Sequence, residues 1–132
     1  RLMTESVAAE LAASRRTDED LHQLKALLER TRQSIGSADQ FISCDLQFHL
    51  AVAAASQNAM YSIMLQVCRE MIGESLMEVL ETGNEAERTK RYRNIFAAHQ
   101  AVYEAIAGQN PQKAGQKMQE HLIHAEHDIL DQ

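Results

Sequence analysis

The chain has 132 residues, 45% of them apolar, with one proline and five glycines, which fits one packed domain better than a disordered or fibrous chain. Its formal charge of -6 speaks against a nucleic-acid surface of clustered Lys and Arg. No apolar run approaches the roughly 20 residues of a membrane span, and Cys44 and Cys68 make no disulfide framework, so a reducing cytoplasm is expected.

Start and stop signals predict six helices in chain order. The first runs from about Arg1 to Ser14. Thr17, with Asp20 three residues on, opens a second whose apolar stripe is Leu21, Leu24, Leu28 and Ile35. Ser37, with Gln40 in the reciprocal position, opens a third that reaches about Ser56. Asn58 opens a long fourth, with Tyr61, Leu65, Cys68, Ile72 and Val79 on one side and Gly83 as its stop. Its methionines are expected to pack inward. Asn84 with Glu87 opens a fifth that ends before Gly108. Asn110–Pro111 is a cap followed by proline in the first helical position, and the sixth helix runs from Pro111 to about Leu130. No period-2 strand, internal repeat or dividing linker interrupts the series. The expected fold is all-α, an antiparallel bundle of six to seven helices.

Three of these helices carry polar residues on faces that should turn inward. With Phe41 at zero and about 100° per residue, Asp45 falls near 40° and His49 near 80°, inside the arc of Phe48, Val52 and Ile42. On the fifth helix, His99 lies between Ile95, Val102 and Ile106 on one side and Phe96 and Tyr103 on the other. On the sixth, His121 shares a face with Ala114, Met118 and Ala125. Burying such groups unpaired costs about 2 kcal/mol or more each, so they must satisfy one another or bind something. Two readings stand. One is a buried Asp–His hydrogen-bond network. The other is a metal site of Asp45, His49, His99 and His121, whose imidazole and carboxylate donors suit Zn, Ni, Co, Fe or Mn. His22 and His127 read as solvated, and His124 as a substitute for His121 or a neighbour of the site. Cys68 reads as a small core residue.

Four segments carry a resemblance. They are RLMTESVAAELAA (1–13), DLQFHLAVAAASQN (45–58), HQAVYEAIAGQNPQKA (99–114) and MQEHL (118–122). In this order the chain resembles the C-terminal ligand-binding FCD domain of GntR-family transcription regulators of the FadR type, with Val102 where the family usually has Ile. The family's metal-binding subgroup uses one Asp and three His, which fall on Asp45, His49, His99 and His121 at intervals of 4, 50 and 22 residues. The founding fatty-acyl-CoA regulator lacks this site.

The resemblance implies a divalent transition metal, zinc first and nickel or another second, and a small organic acid as effector. It implies a likewise cytoplasmic homodimer, and DNA contact only through an N-terminal winged helix-turn-helix that would precede Arg1. The whole of 1–132 would be the effector-binding domain, and not an enzyme. Arg88, on the face of Tyr92 and His99, is the first candidate to hold the effector's carboxylate, with Arg1 and Arg69 behind it. Metal affinity should fall below about pH 6, where free imidazole protonates. The alternatives are a helical-bundle metallohydrolase, for which no general base is evident, and a metal-free dimerisation module.

Overall fold

A computed structural model describes residues 2–130, and the side chains of residues 2–128. Among them are six α-helices and no strand: α1 (Leu2–Arg15), α2 (Asp18–Gln33), α3 (Ala38–Ala55), α4 (Ala59–Glu81), α5 (Glu85–Ala107) and α6 (Pro111–Leu130). The fold is thus the all-α bundle the caps predict. Arg1, the first residue of the expected first helix, lies outside the described residues.

The helix starts follow local chemistry. Thr17 and Asp20 form a reciprocal capping box, as do Asn84 and Glu87. Asn58 accepts from the Met60 N–H, and Asn110 from the Lys113 N–H. Ser37 occupies the N-cap position of α3 but makes no side-chain capping bond, so Gln40 completes no box there. Gly83 follows the end of α4 at φ +87°, a left-handed conformation that a side chain would strain.

Packing then sets the site's frame. The α1 face of Ala8, Ala9, Ala12 and Ala13 is buried, and side chains this small let α1 lie close against its neighbours. Its end holds two other helices. Arg16 Nη2 donates to the Ala107 carbonyl at 2.8 Å, and Arg15 Nη1 to the Ser56 carbonyl at 3.2 Å. These bonds satisfy carbonyls at the C-termini of α5 and α3 that the helices themselves leave open.

One core cluster joins α1, α2, α3, α5 and α6 around Leu24, Phe48, Val52, Val102 and Met118. A second gathers Phe41, Ile42, Leu80, Tyr92 and Ile95. Asp45 on α3 and His99 on α5 fall between these two clusters, and His49 lies beside Phe48 of the first. Leu24→Ala is expected to cost about 2–5 kcal/mol, because a fully buried Leu leaves both lost transfer energy and a cavity. A urea melt with unchanged slope and a lower midpoint checks it.

The fourth helix differs from the rest. Only Leu65, Val79 and Leu80 of its 23 residues are buried. Met60, Ile63, Met64, Val67 and Met71 are exposed, so the α4 methionines at 60, 64 and 71 do not pack inward as expected. Tyr61, Cys68 and Ile72 are half-buried. Cys68 lines a cavity instead of filling the core.

Candidate metal centre

Asp45, His49, His99 and His121 meet at one point. Each offers a ligand atom within 4.8 Å of all the others, and all four are buried. Helix spacing explains the local part: residues four apart on α3 stand one turn apart on the same face. The rest follows from the bundle: α5 and α6 pack on each other and on α1, and their histidines reach the α3 side chains across the core.

The geometry is specific. His99 Nε2 lies 3.0 Å from Asp45 Oδ1, and His49 Nε2 lies 3.7 Å from the same oxygen. His121 Nε2 faces His49 Nε2 at 3.3 Å. The His99 ring stacks on Phe48, centroids 4.4 Å apart and planes 8° apart. The His49 and His99 rings meet edge to face at 5.0 Å. Despite its closeness to Asp45, neither ring nitrogen of His99 has a hydrogen-bond partner among the described residues.

A residue absent from the sequence reading completes the cluster. Glu5 Oε1 lies 2.5 Å from His49 Nδ1, and both side chains are buried. The only sequence signal for Glu5 was its place in the opening segment 1–13. Nothing in α1's own pattern points to a partner 44 residues away.

Electrostatics follow from this arrangement. Burial opposes a charge on His49, but Glu5 and Asp45 outweigh it and raise its pKa to about 9. Burial likewise works against an ionised Asp45, yet His49 and His99 hold its carboxyl well below the usual range. For His99 burial dominates and lowers the pKa, although Asp45 pulls the other way.

The donor set fits a divalent transition ion. Three imidazoles and one carboxylate converge in a buried space, and His99 has two buried ring nitrogens with no hydrogen bond. Such orphaned groups are rare in a finished interior and call for an explanation. His124, the possible substitute for His121, is exposed on α6, as are His22 on α2 and His127.

Two cavities border α4 and touch the cluster. One, about 70 Å³, is bounded by Glu5, His49, Tyr61, Leu65 and Cys68. The other, about 200 Å³, opens on Asp45 and His121 between walls of Ile72, Leu76, Ile95 and Ala125.

Of the expected effector residues, Arg1 is outside the described residues, and Arg88, Tyr92 and Arg69 are not among the residues that converge. Arg88 is 11 positions before His99 on α5, about 16 Å along the axis. Its guanidinium donates to the Gly83 carbonyl, and it lines a separate cleft with Glu81, Glu85 and Tyr92. Tyr92 itself is buried edge-on against Phe41 at 4.8 Å. Arg69 is exposed on α4. A shared helical face brought Arg88 and His99 into line in projection, but axial distance separates them.

Comparison with known proteins adds the following. The FCD domain family matches residues 1–124. The chain is 28% identical over 130 residues to the HTH-type transcriptional regulator LutR of Bacillus subtilis, covering 98% of this chain and 58% of LutR. It is 29% identical over 122 residues to the HTH-type transcriptional repressor NanR of Cronobacter sakazakii, covering 92% and 45%. Among solved structures, Streptococcus agalactiae GntR aligns with a TM-score of 0.75 at 27% identity, covering 93% of this chain and 53% of that one. E. coli McbR/YncC aligns at the same TM-score with 22% identity, over 96% and 64%, a likeness of fold alone. The chain spans about half the length of the curated relatives it matches. Those relatives are transcription regulators and not enzymes. No helix among the described residues is long and apolar enough to cross a membrane.

Proposed function

We propose that this chain, which belongs to the FCD domain family of GntR-type transcription regulators, is a metal-dependent sensor of a small organic acid. The observation that carries the reading is the buried convergence of Asp45, His49, His99 and His121, with neither His99 ring nitrogen hydrogen-bonded among the described residues. A metal-free polar network offers His99 Nε2 only the 3.0 Å approach of Asp45 and, among the described residues, gives Nδ1 no partner; a buried polar group left unsatisfied costs roughly 1–3 kcal/mol. Zinc is the first choice and nickel the second, since three imidazoles and a carboxylate suit both.

In this reading Asp45, His49, His99 and His121 hold the ion, which supplies the positive charge that an incoming carboxylate needs. The cavity beside Asp45 and His121 receives the acid, and Ile72, Leu76 and Ile95 exclude water around it. Of the anticipated arginines, Arg88 and Arg69 lack a supporting position. Arg1, four residues before Glu5, is the one retained.

Sparse burial makes α4 the helix best able to respond, because few apolar contacts hold it down. The acid can bias the bundle only by its difference in affinity for two arrangements. The readout would pass to a DNA-binding winged helix-turn-helix preceding Arg1. The protein would work as a cytoplasmic homodimer, a reading that the exposed apolar stripe of α4 supports.

The test is calorimetric titration of a panel of small mono-, di- and hydroxy-acids into zinc-loaded and chelator-stripped protein. Binding of at least one acid is expected only in the loaded form. Equal affinity in both forms would make any metal structural and leave the carboxylate to an arginine.

A further inference from the structure

We infer that Glu5 is a positioning residue for the metal centre: it fixes the ring of His49 so that Nε2 faces Asp45, His99 and His121. The inference rests on the metal reading above. Its own support is the contact between Glu5 Oε1 and His49 Nδ1 at 2.5 Å, in a place where both side chains are buried.

The tautomer of His49 decides which of its nitrogens can face the centre. A neutral imidazole carries its proton on one ring nitrogen and presents a lone pair on the other. A carboxylate can only accept, so Glu5 holds the proton on Nδ1. The lone pair is then left on Nε2. That is the nitrogen near Asp45 Oδ1, at 3.7 Å, and near His121 Nε2, at 3.3 Å. Carboxylates behind metal-binding histidines commonly act in this way, setting ring orientation and raising ligand basicity.

Position in the fold makes Glu5 more than a chance neighbour. It stands on α1, whereas His49 is on α3, His99 on α5 and His121 on α6. The α1 helix contributes none of the four converging groups, and Glu5 joins it to the centre. The buried alanines of α1 bring its backbone close enough for so short a reach. Asp45 belongs to the cluster itself, and among the described residues the ring nitrogens of His99 have no hydrogen-bond partner.

The test uses zinc alone, by competition against a chromophoric chelator, on wild type, Glu5→Ala and Glu5→Gln. Glu5→Ala is expected to bind zinc about 10–100-fold more weakly. Glu5→Gln should recover part of that loss, because its amide oxygen still accepts from Nδ1–H. A second readout needs no variant. Long-range proton–nitrogen NMR of the zinc-loaded wild type should show His49 protonated on Nδ1. The inference is overturned if Glu5→Ala binds zinc as tightly as wild type, or if His49 carries its proton on Nε2. A wild type that takes up no zinc overturns this inference and the metal reading together.

Discussion

His99→Ala should abolish tight metal binding and, with it, binding of the acid. The affinity loss is expected to be on the order of a hundredfold or more, since removing a ligand exceeds the 10–100-fold cost of removing an outer partner. Among the described residues the ring nitrogens of His99 find no hydrogen bond, and its one close polar neighbour is Asp45, itself a member of the centre. The metal-free fold should tolerate the change. Losing the stack on Phe48 leaves a cavity, but the variant also sheds a buried, unsatisfied polar group. His22→Ala on exposed α2 should alter neither metal nor acid binding. Zinc titration and circular dichroism on both variants decide the matter. Wild-type zinc affinity in His99→Ala would remove His99 from the centre.

Legibility in the sequence divides along physical lines. The helices were readable because Thr17, Asn58, Asn84 and Asn110 state their starts within three residues, and capping is a local bond. The four converging residues were readable because periodicity reports which side of a helix turns inward. Periodicity does not report height along the axis. Arg88 therefore looked like a neighbour of His99 and is about 16 Å away. Nor does it report what lies across the interface. Glu5 sits among alanines on α1, and only the approach of α3 gives it His49. The exposed methionines of α4 show the same limit. An apolar stripe states that a helix face avoids water, but not whether this domain covers it.

Stripped of metal, the protein should lose stability as pH rises from about 6.5 to about 9, and zinc should stabilise it most at the upper end. The sign follows from His49. Its pKa in the fold is raised to about 9 by Glu5 and Asp45 against the opposition of burial. The imidazolium's contribution is complete below the free value of about 6.5 and is lost as pH climbs through 9. Two groups act oppositely. His99, lowered by burial, costs stability as pH falls below its ordinary value, and Asp45, held down by its histidines, loses its contribution only in acid. Metal binding requires neutral imidazoles and an ionised carboxylate. A proton held by His49 up to about pH 9 therefore competes far above the pH of about 6 that free imidazole suggests. Affinity should fall about tenfold per pH unit below that point for one displaced proton. Free zinc at 100 times its dissociation constant adds about 2.7 kcal/mol, a rise in Tm of roughly 10 °C for a domain this size. Melting curves between pH 6 and 9, with buffered zinc or with chelator, should diverge as pH rises. Parallel curves, or a stripped-protein Tm that climbs with pH, would mean that His49 carries no proton between Glu5 and Asp45.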